Sequence, residues 1–196
     1  MKSYDYVNRD GFAPISWERF SELCREMVEE LGRLNVGAVV GIARPGLFPA
    51  TQIALSLRTE LYPVRVTRRV NDVVAYAKPV WKVAVSPEVA GGVVAVVDEI
   101  ADTGESLALV AEAVRQAGAE RVVTATLACH SWATPQPDVC PLVTDSLVLW
   151  PWDQRVLFRN KWVAHPEYIK AAVDQGKKLP SGWCEADADA GLVPSS

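Results

Sequence analysis

Residues 93–106, VVAVVDEIADTGES, constrain the fold of this chain more than any other stretch. Five β-branched and small apolar residues, 93–97, lead without a polar break into two adjacent carboxylates, Asp98 and Glu99. Asp102, Thr103, Gly104, Glu105 and Ser106 follow, and a helical apolar pattern begins at Leu107. A short run that is apolar at every position suits a strand buried on both faces, as in a parallel sheet covered by helices. The turn then sets backbone N–H groups and the Thr103 and Ser106 hydroxyls at a helix N-terminus. Unpaired donors and the helix dipole hold phosphate there. The turn has no Lys and carries Asp102 and Glu105, unlike a Gly-Lys-Ser/Thr loop that grips a polyphosphate. It suits a single phosphate flanked by hydroxyls or a cation, which the acidic pair would bind. An ordinary strand-to-helix turn needs only one capping Thr or Asp.

Strand and helix signals alternate along the rest of the chain. Ser16 caps a predicted helix through about Leu34, with Phe20, Leu23, Cys24, Met27, Val28 and Leu31 at helical spacing. A strand is expected over 37–42, a helix from about Pro49 to Glu60, and a strand over 62–67. Asn71-Asp72 signals a turn, and 73–85 reads as a hairpin arm broken at Pro79. A helix over 107–117 stops at Gly118. Strands are expected over 121–128 and 146–149, and a short helix over 166–175. This order predicts an α/β fold, a central parallel sheet flanked by helices. Ligands of such sheets sit at the carboxyl ends of the strands. The tips to watch are 43–48, 98–106, 129–132 and 150–153.

Composition narrows the function classes. The 196 residues are enough for one domain with a real core. The expected division is a single domain over 1–184 and a loose Ala-, Asp- and Ser-rich tail over 185–196. A net charge of -4 argues against a general nucleic-acid binder. No apolar run reaches the roughly 20 residues that span a bilayer, and the first residues lack a signal-peptide core. The chain is therefore expected in the cytoplasm, with no membrane and no nucleic-acid partner. Cys24, Cys129, Cys140 and Cys184 show no C-x-x-C spacing and read as reduced thiols.

Residues 93–106 closely resemble the phosphoribosyl-pyrophosphate (PRPP) signature of the type I phosphoribosyltransferases: four apolar residues, two acidic, two apolar, then Asp/Ala-Thr-Gly-x-Thr/Ser. The resemblance implies that Asp98 and Glu99 face the ribose hydroxyls, directly or through Mg²⁺. It implies that Asp102, Thr103, Gly104, Glu105 and Ser106 wrap the 5-phosphate. Residues 41–50, GIARPGLFPA, are similar to the family's pyrophosphate loop, R-G-G-x-x-P-A, which assigns Ala43 and Arg44 to pyrophosphate. Pro45 stands where the family has Gly. Read without the family, the segment is a turn with a surface Arg.

The segment Trp150-Pro151-Trp152-Asp153 resembles the F-P-W-E or Q-P-W-D stretch that closes the base-binding hood of xanthine-guanine phosphoribosyltransferases. The K-P-W, P-D, T-D pattern of those relatives lines up with residues 130–145. The resemblance thus covers roughly 37–159. It implies a type I phosphoribosyltransferase fold with a small hood, mainly from 130–165 and the N-terminus. Base contacts fall to His130, Leu147, Val148 and Trp152. Asp153 matches a second metal-side Asp, beside Asp98 and Glu99, and Arg159 a pyrophosphate-side Arg. The segment 67–76 occupies the place of the family's catalytic loop, and equally fits a solvated hairpin.

Two departures fall in the base pocket. His130 replaces a Lys that donates to a purine 6-oxo group, and Leu147 replaces a stacking aromatic. His130 fits either a ligand-facing donor or a strand-end histidine paired with backbone. Asp102 stands where 6-oxopurine enzymes place the general base, and is the expected catalytic residue. The implied activity is Mg²⁺-dependent transfer of 5-phosphoribosyl from PRPP to a nitrogenous base, favoured as a 6-oxopurine in purine salvage, by a homodimer or homotetramer. Two rivals stand beside it: a PRPP-binding regulator without turnover, and a transferase for a non-purine acceptor.

Overall fold

The computed structural model describes residues 9–70 and 73–183. In chain order the first elements are β1 (Phe12–Pro14), α1 (Trp17–Arg33), β2 (Ala38–Ile42), α2 (Leu47–Leu57), β3 (Glu60–Thr67), β4 (Arg69–Val70), β5 (Val73–Val74) and β6 (Val80–Val83). Then come β7 (Val93–Ala101), α3 (Glu105–Gln116), β8 (Arg121–Cys129), β9 (Leu142–Val143), β10 (Leu147–Leu149), β11 (Arg155–Phe158), β12 (Lys161–Ala164) and α4 (Pro166–Gln175). The chain divides into a larger unit, residues 20–144, and a second built from 1–19 and 145–196.

The larger unit holds a six-stranded sheet of order β6-β3-β2-β7-β8-β9. Every pairing in it is parallel except that of β6 with β3. Its central strands are buried on both faces, which is why 93–97 and 122–129 carry almost no polar side chain. Alternation along the strands sorts the helices. Val40, Ile42, Val94 and Val96 share a cluster with Leu107, Val110, Ala111 and Val114 of α3. Gly41 points the other way, where a Cβ would fall 2.7 Å from the Ala50 Cβ and 2.9 Å from Leu47 Cδ2. So α3 and α2 cover opposite faces of one mostly parallel sheet, the type I phosphoribosyltransferase layout. Leu23, Met27 and Leu31 of α1, four residues apart, are fully buried.

Three boundaries differ from expectation. β7 does not stop at Val97 but pairs with β8 to its last residue, Asp98 opposite Thr126 and Ala101 opposite Cys129. The acidic pair is therefore on a strand, and only 102–104 form the turn. α2 starts at Leu47 and ends at Leu57, with Arg58 in the left-handed region at φ 57°. Pro49 sits in the first turn, where no N–H donor is needed. β10 lies outside the central sheet. It pairs in parallel with β1, Phe12 opposite Leu147, because β9 already occupies the edge of β8. Residues 150–153 are thus not a tip of the central sheet. Between β3 and β6, β4 and β5 form a short antiparallel hairpin; the turn signal at Asn71-Asp72 lies outside the described residues.

The second unit contains the β1–β10 pair, the antiparallel β11–β12 hairpin and α4. Helix α4 spans the residues expected for it, capped by His165, whose Nδ1 accepts from the Glu167 N–H at 3.3 Å. Among the described residues no cysteine forms a disulfide, and burial pushes the Cys24 thiol up to about 12. Cys184 and the expected tail, 185–196, lie outside the described residues.

Candidate active site

At the carboxyl end of β7, Asp98 turns its side chain back on its own backbone, Oδ1 accepting from the Glu99 N–H at 3.0 Å. Burial pushes the Asp98 carboxyl above its usual range, against these hydrogen bonds, which pull it down. Gly46 lies against it: a Cβ there would stand 2.5 Å from Asp98 Oδ1, 2.5 Å from the Ile42 carbonyl and 2.9 Å from Asp98 Cα. The loop after β2, with Ala43, Arg44 and their cis peptide bond, is thereby brought to the acidic pair. Arg44 is exposed. The substitution Gly46→Ala is expected to cost about 1–3 kcal/mol, the range for overpacking a tight contact. Gly92→Ala, with nothing within 4 Å of its Cβ, is the control. Urea unfolding midpoints of the two variants measure the difference.

Beyond Ala101 the chain makes a tight turn into α3. Gly104 takes φ +85° at the cap of α3, a conformation that favours glycine. It also meets a second loop, since a Cβ would stand 2.7 Å from the Pro135 carbonyl oxygen. Beside it the Thr134 N–H donates to the Thr103 carbonyl at 2.9 Å. Thr103 Oγ1 accepts from the Glu105 N–H at 3.4 Å. The first N–H groups of α3, a helix of 12 residues, form an electropositive end suited to phosphate.

The loop after β8 carries the other half of this cluster. His130 donates its backbone N–H to the Ala101 carbonyl at 3.1 Å. Its buried ring stacks on Trp132, with centroids 4.4 Å apart and planes at 18°. Its Nδ1 lies 2.5 Å from the Thr144 carbonyl, which can only accept, so Nδ1 carries a proton. The Trp132 indole N–H donates to Asp102 Oδ1 at 3.3 Å, and His130 Nε2 stands 4.0 Å from the same oxygen. The Asp102 side chain remains 25% exposed, against 3% for His130, so the carboxylate can be reached from solvent. Gln136 ties the loop together, its Nε2 donating to the carbonyls of His130, Ser131 and Ala133 at 3.0, 3.3 and 3.1 Å.

The structure thus brings Ala43, Arg44, Asp98, Glu99, the 102–104 turn with the start of α3, and His130 to the carboxyl end of one sheet. The other sequence-predicted residues belong to the second unit. There Leu147 is half-buried and Val148 buried on β10. Trp152 stacks on Trp150 at 5.0 Å and 7°, and Trp17 tilts against it at 6.1 Å. Asp153 closes the short turn Pro151–Asp153. Arg159 sits in the β11–β12 turn at φ 46°, its guanidinium 5.2 Å over the Phe158 ring. Sequence reasoning missed Gly46, Trp17, the Trp132–Asp102 bond and Gln136. Of these only Gly46, just ahead of a predicted helix, left a local trace.

A family model described as the phosphoribosyl transferase domain matches residues 15–159. The chain belongs to the phosphoribosyltransferase family. It is a transferase of the type I fold, and the matched span includes the acidic pair, the turn before α3 and the loop after β8. No curated protein matches it in sequence. Among solved structures, the purine phosphoribosyltransferase of Pyrococcus horikoshii Ot3 is similar, with TM-score 0.65 and 26% identity over 72% of this chain and 93% of that one. The Helicobacter pylori xanthine-guanine-hypoxanthine phosphoribosyltransferase shares the fold, with TM-score 0.56 and 19% identity over 72% and 92%. So does the Aeropyrum pernix orotate phosphoribosyltransferase, with TM-score 0.50 and 24% identity over 65% and 73%.

Proposed function

We propose that this phosphoribosyltransferase transfers the 5-phosphoribosyl group of PRPP to a 6-oxopurine and releases pyrophosphate. The observation that carries this reading is Asp102: a partly exposed carboxylate, fixed by the Trp132 indole, between the acidic pair on β7 and the N-terminus of α3. The 5-phosphate is held by the N–H groups and hydroxyls of 103–106, in the manner of anions at helix N-termini. Asp98 and Glu99 face the ribose, where positive charge grows as the C1–oxygen bond breaks, as in glycosyl transfer. Ala43 and Arg44 meet the pyrophosphate, and Arg159 is assigned to it by the family resemblance alone. As the ring nitrogen of the acceptor forms its bond to C1, its proton passes to Asp102. His130, Leu147, Val148 and Trp152 are the residues assigned to the acceptor side.

Two adjacent hard carboxylates fit Mg²⁺, which is usually held by one or two protein carboxylates with water and phosphate oxygens completing its shell. Among the described residues no cluster of three or more candidate ligands exists. Asp98 and Glu99 would hold the ion; Asp153 is assigned to it by the family resemblance alone. Bound Mg²⁺ supplies positive charge that stabilises the departing pyrophosphate.

The purine assignment is supported by the Pyrococcus horikoshii enzyme and by the family resemblance of the segment 130–153. A non-purine acceptor is the second reading, favoured by His130 and Leu147 at the two altered positions. The reading also takes the chain as one domain over 1–184, working in the cytoplasm as a homodimer or homotetramer. No helix among the described residues is long and apolar enough to cross a membrane. The test is an acceptor screen with PRPP and Mg²⁺, read by pyrophosphate release. Release with hypoxanthine, guanine or xanthine is expected. Release with orotate or another non-purine alone would replace the purine assignment.

A further inference from the structure

We propose that His130 is a positioning residue for Asp102, holding the carboxylate in place through the stacked Trp132. The inference rests on the reading of Asp102 as proton acceptor. It departs from the assignment of His130 to the acceptor itself.

Geometry leads there. The His130 side chain is 3% exposed, its Nδ1–H is committed to the Thr144 carbonyl, and its face is covered by Trp132. A ring so enclosed is poorly placed to grip an incoming base. Its Nε2 edge instead stands 4.0 Å from Asp102 Oδ1, the oxygen that also accepts from Trp132. With Nδ1 protonated, a neutral ring presents the Nε2 lone pair toward the carboxylate, and a charged ring presents N–H. Protonation therefore places a positive charge 4.0 Å from Asp102. The orienting chain is the Thr144 carbonyl, the His130 ring, the Trp132 ring stacked on it and the indole N–H on Asp102 Oδ1: a base held by a second group that is itself held in place.

Cys129 turns its Sγ to Gln136 Oε1 at 3.1 Å, and Asp138 accepts from the Thr124 N–H and hydroxyl at 2.7 and 2.8 Å. Asp98 and Glu99 stand four and three positions before Asp102 along the chain, and Asp145 follows Thr144. Trp132, Thr144 and Gln136 carry no charge.

The chain contains two histidines, so ring NMR on the full protein can read His130 directly, with His165→Asn assigning the second signal. The neutral ring of His130 is expected to carry its proton on Nδ1. Its titration midpoint is expected to fall by about one unit in Asp102→Asn, because the opposite charge that favours the protonated ring is gone. A neutral ring protonated on Nε2, or a midpoint that does not move, overturns the proposal whether or not any acceptor is turned over. With an acceptor in hand, His130→Gln should lower kcat at least about tenfold while leaving KM for PRPP within about twofold. An unchanged kcat in His130→Gln overturns the proposal. So does a gain in kcat/KM for 6-oxopurines in His130→Lys, which would mark the position as a direct donor to the base. Failure of every acceptor in the screen would count against the proposed function alone, since the NMR results stand without turnover.

Discussion

Asp102→Asn is expected to lower kcat by a factor on the order of 10² to 10⁴, the usual contribution of a positioned general base. The substitution is close to isosteric. The Asn side-chain oxygen still accepts from the Trp132 indole, so the contact seen at 3.3 Å survives and the turn keeps its shape. What disappears is the ability to take the proton that the acceptor nitrogen loses. PRPP affinity should change little, within about threefold, because the proposed function gives the 5-phosphate to the N–H groups and hydroxyls of 103–106 rather than to this carboxylate. Steady-state turnover and PRPP binding, measured side by side, separate the outcomes. An unchanged kcat removes Asp102 from the chemistry. Equal losses of kcat and PRPP binding make it a member of the phosphate turn instead.

PRPP with Mg²⁺ at about 100 times its Kd should stabilise the wild-type protein by about 2.7 kcal/mol. For a chain of this size that is a rise in melting temperature of about 5–10 °C. Asp98→Asn with Glu99→Gln should abolish the rise. If the double variant still responds like wild type, the acidic pair does not face PRPP. Asp98→Asn alone should behave unusually without ligand. Burial raises the Asp98 carboxyl above its ordinary value of 3.8, so the folded state holds this proton more tightly than the unfolded state. Stability from this group is therefore present at low pH and lost as pH rises from near 3.8 through the folded value. Above that range the group is a burden on the fold, and Asp98→Asn removes it. In chelator-treated buffer the single variant should unfold at a higher urea concentration than wild type at pH 7, and the gap should close in acid. A burden of this kind at a binding residue is the usual exchange of stability for function.

The parts of the fold that follow from local periodicity were readable from residues alone. Leu23, Met27 and Leu31 mark one face of α1, and the unbroken apolar run of 93–97 marks a strand covered on both sides. The turn before α3 was readable because Gly104 and its polar neighbours are contiguous. Partners distant in sequence were not readable. β7 extends through Asp98 and Glu99 because β8 supplies a ladder, and polar residues in a strand carry no periodic sign of that. β10 pairs with β1, which lies 135 positions earlier in the register Phe12 to Leu147. Whether His130 faced a ligand or the backbone depended on Thr144, 14 residues on. The bond from Trp132 to Asp102 joins residues 30 apart, and no spacing rule announces it.

The contact between Gly104 and the Thr134–Pro135 backbone bears on how such an enzyme can be re-engineered. The turn assigned to phosphate and the loop assigned to the acceptor lean on each other main chain to main chain, through the Thr134 N–H and the Pro135 carbonyl. A graft of the 130–136 loop from a relative with different specificity would therefore carry its own backbone path into the phosphate turn. It would trade affinity for the shared donor against choice of acceptor. Side-chain exchanges that leave this backbone seam untouched are the safer route to new substrates, and libraries built that way should retain PRPP binding more often than loop swaps.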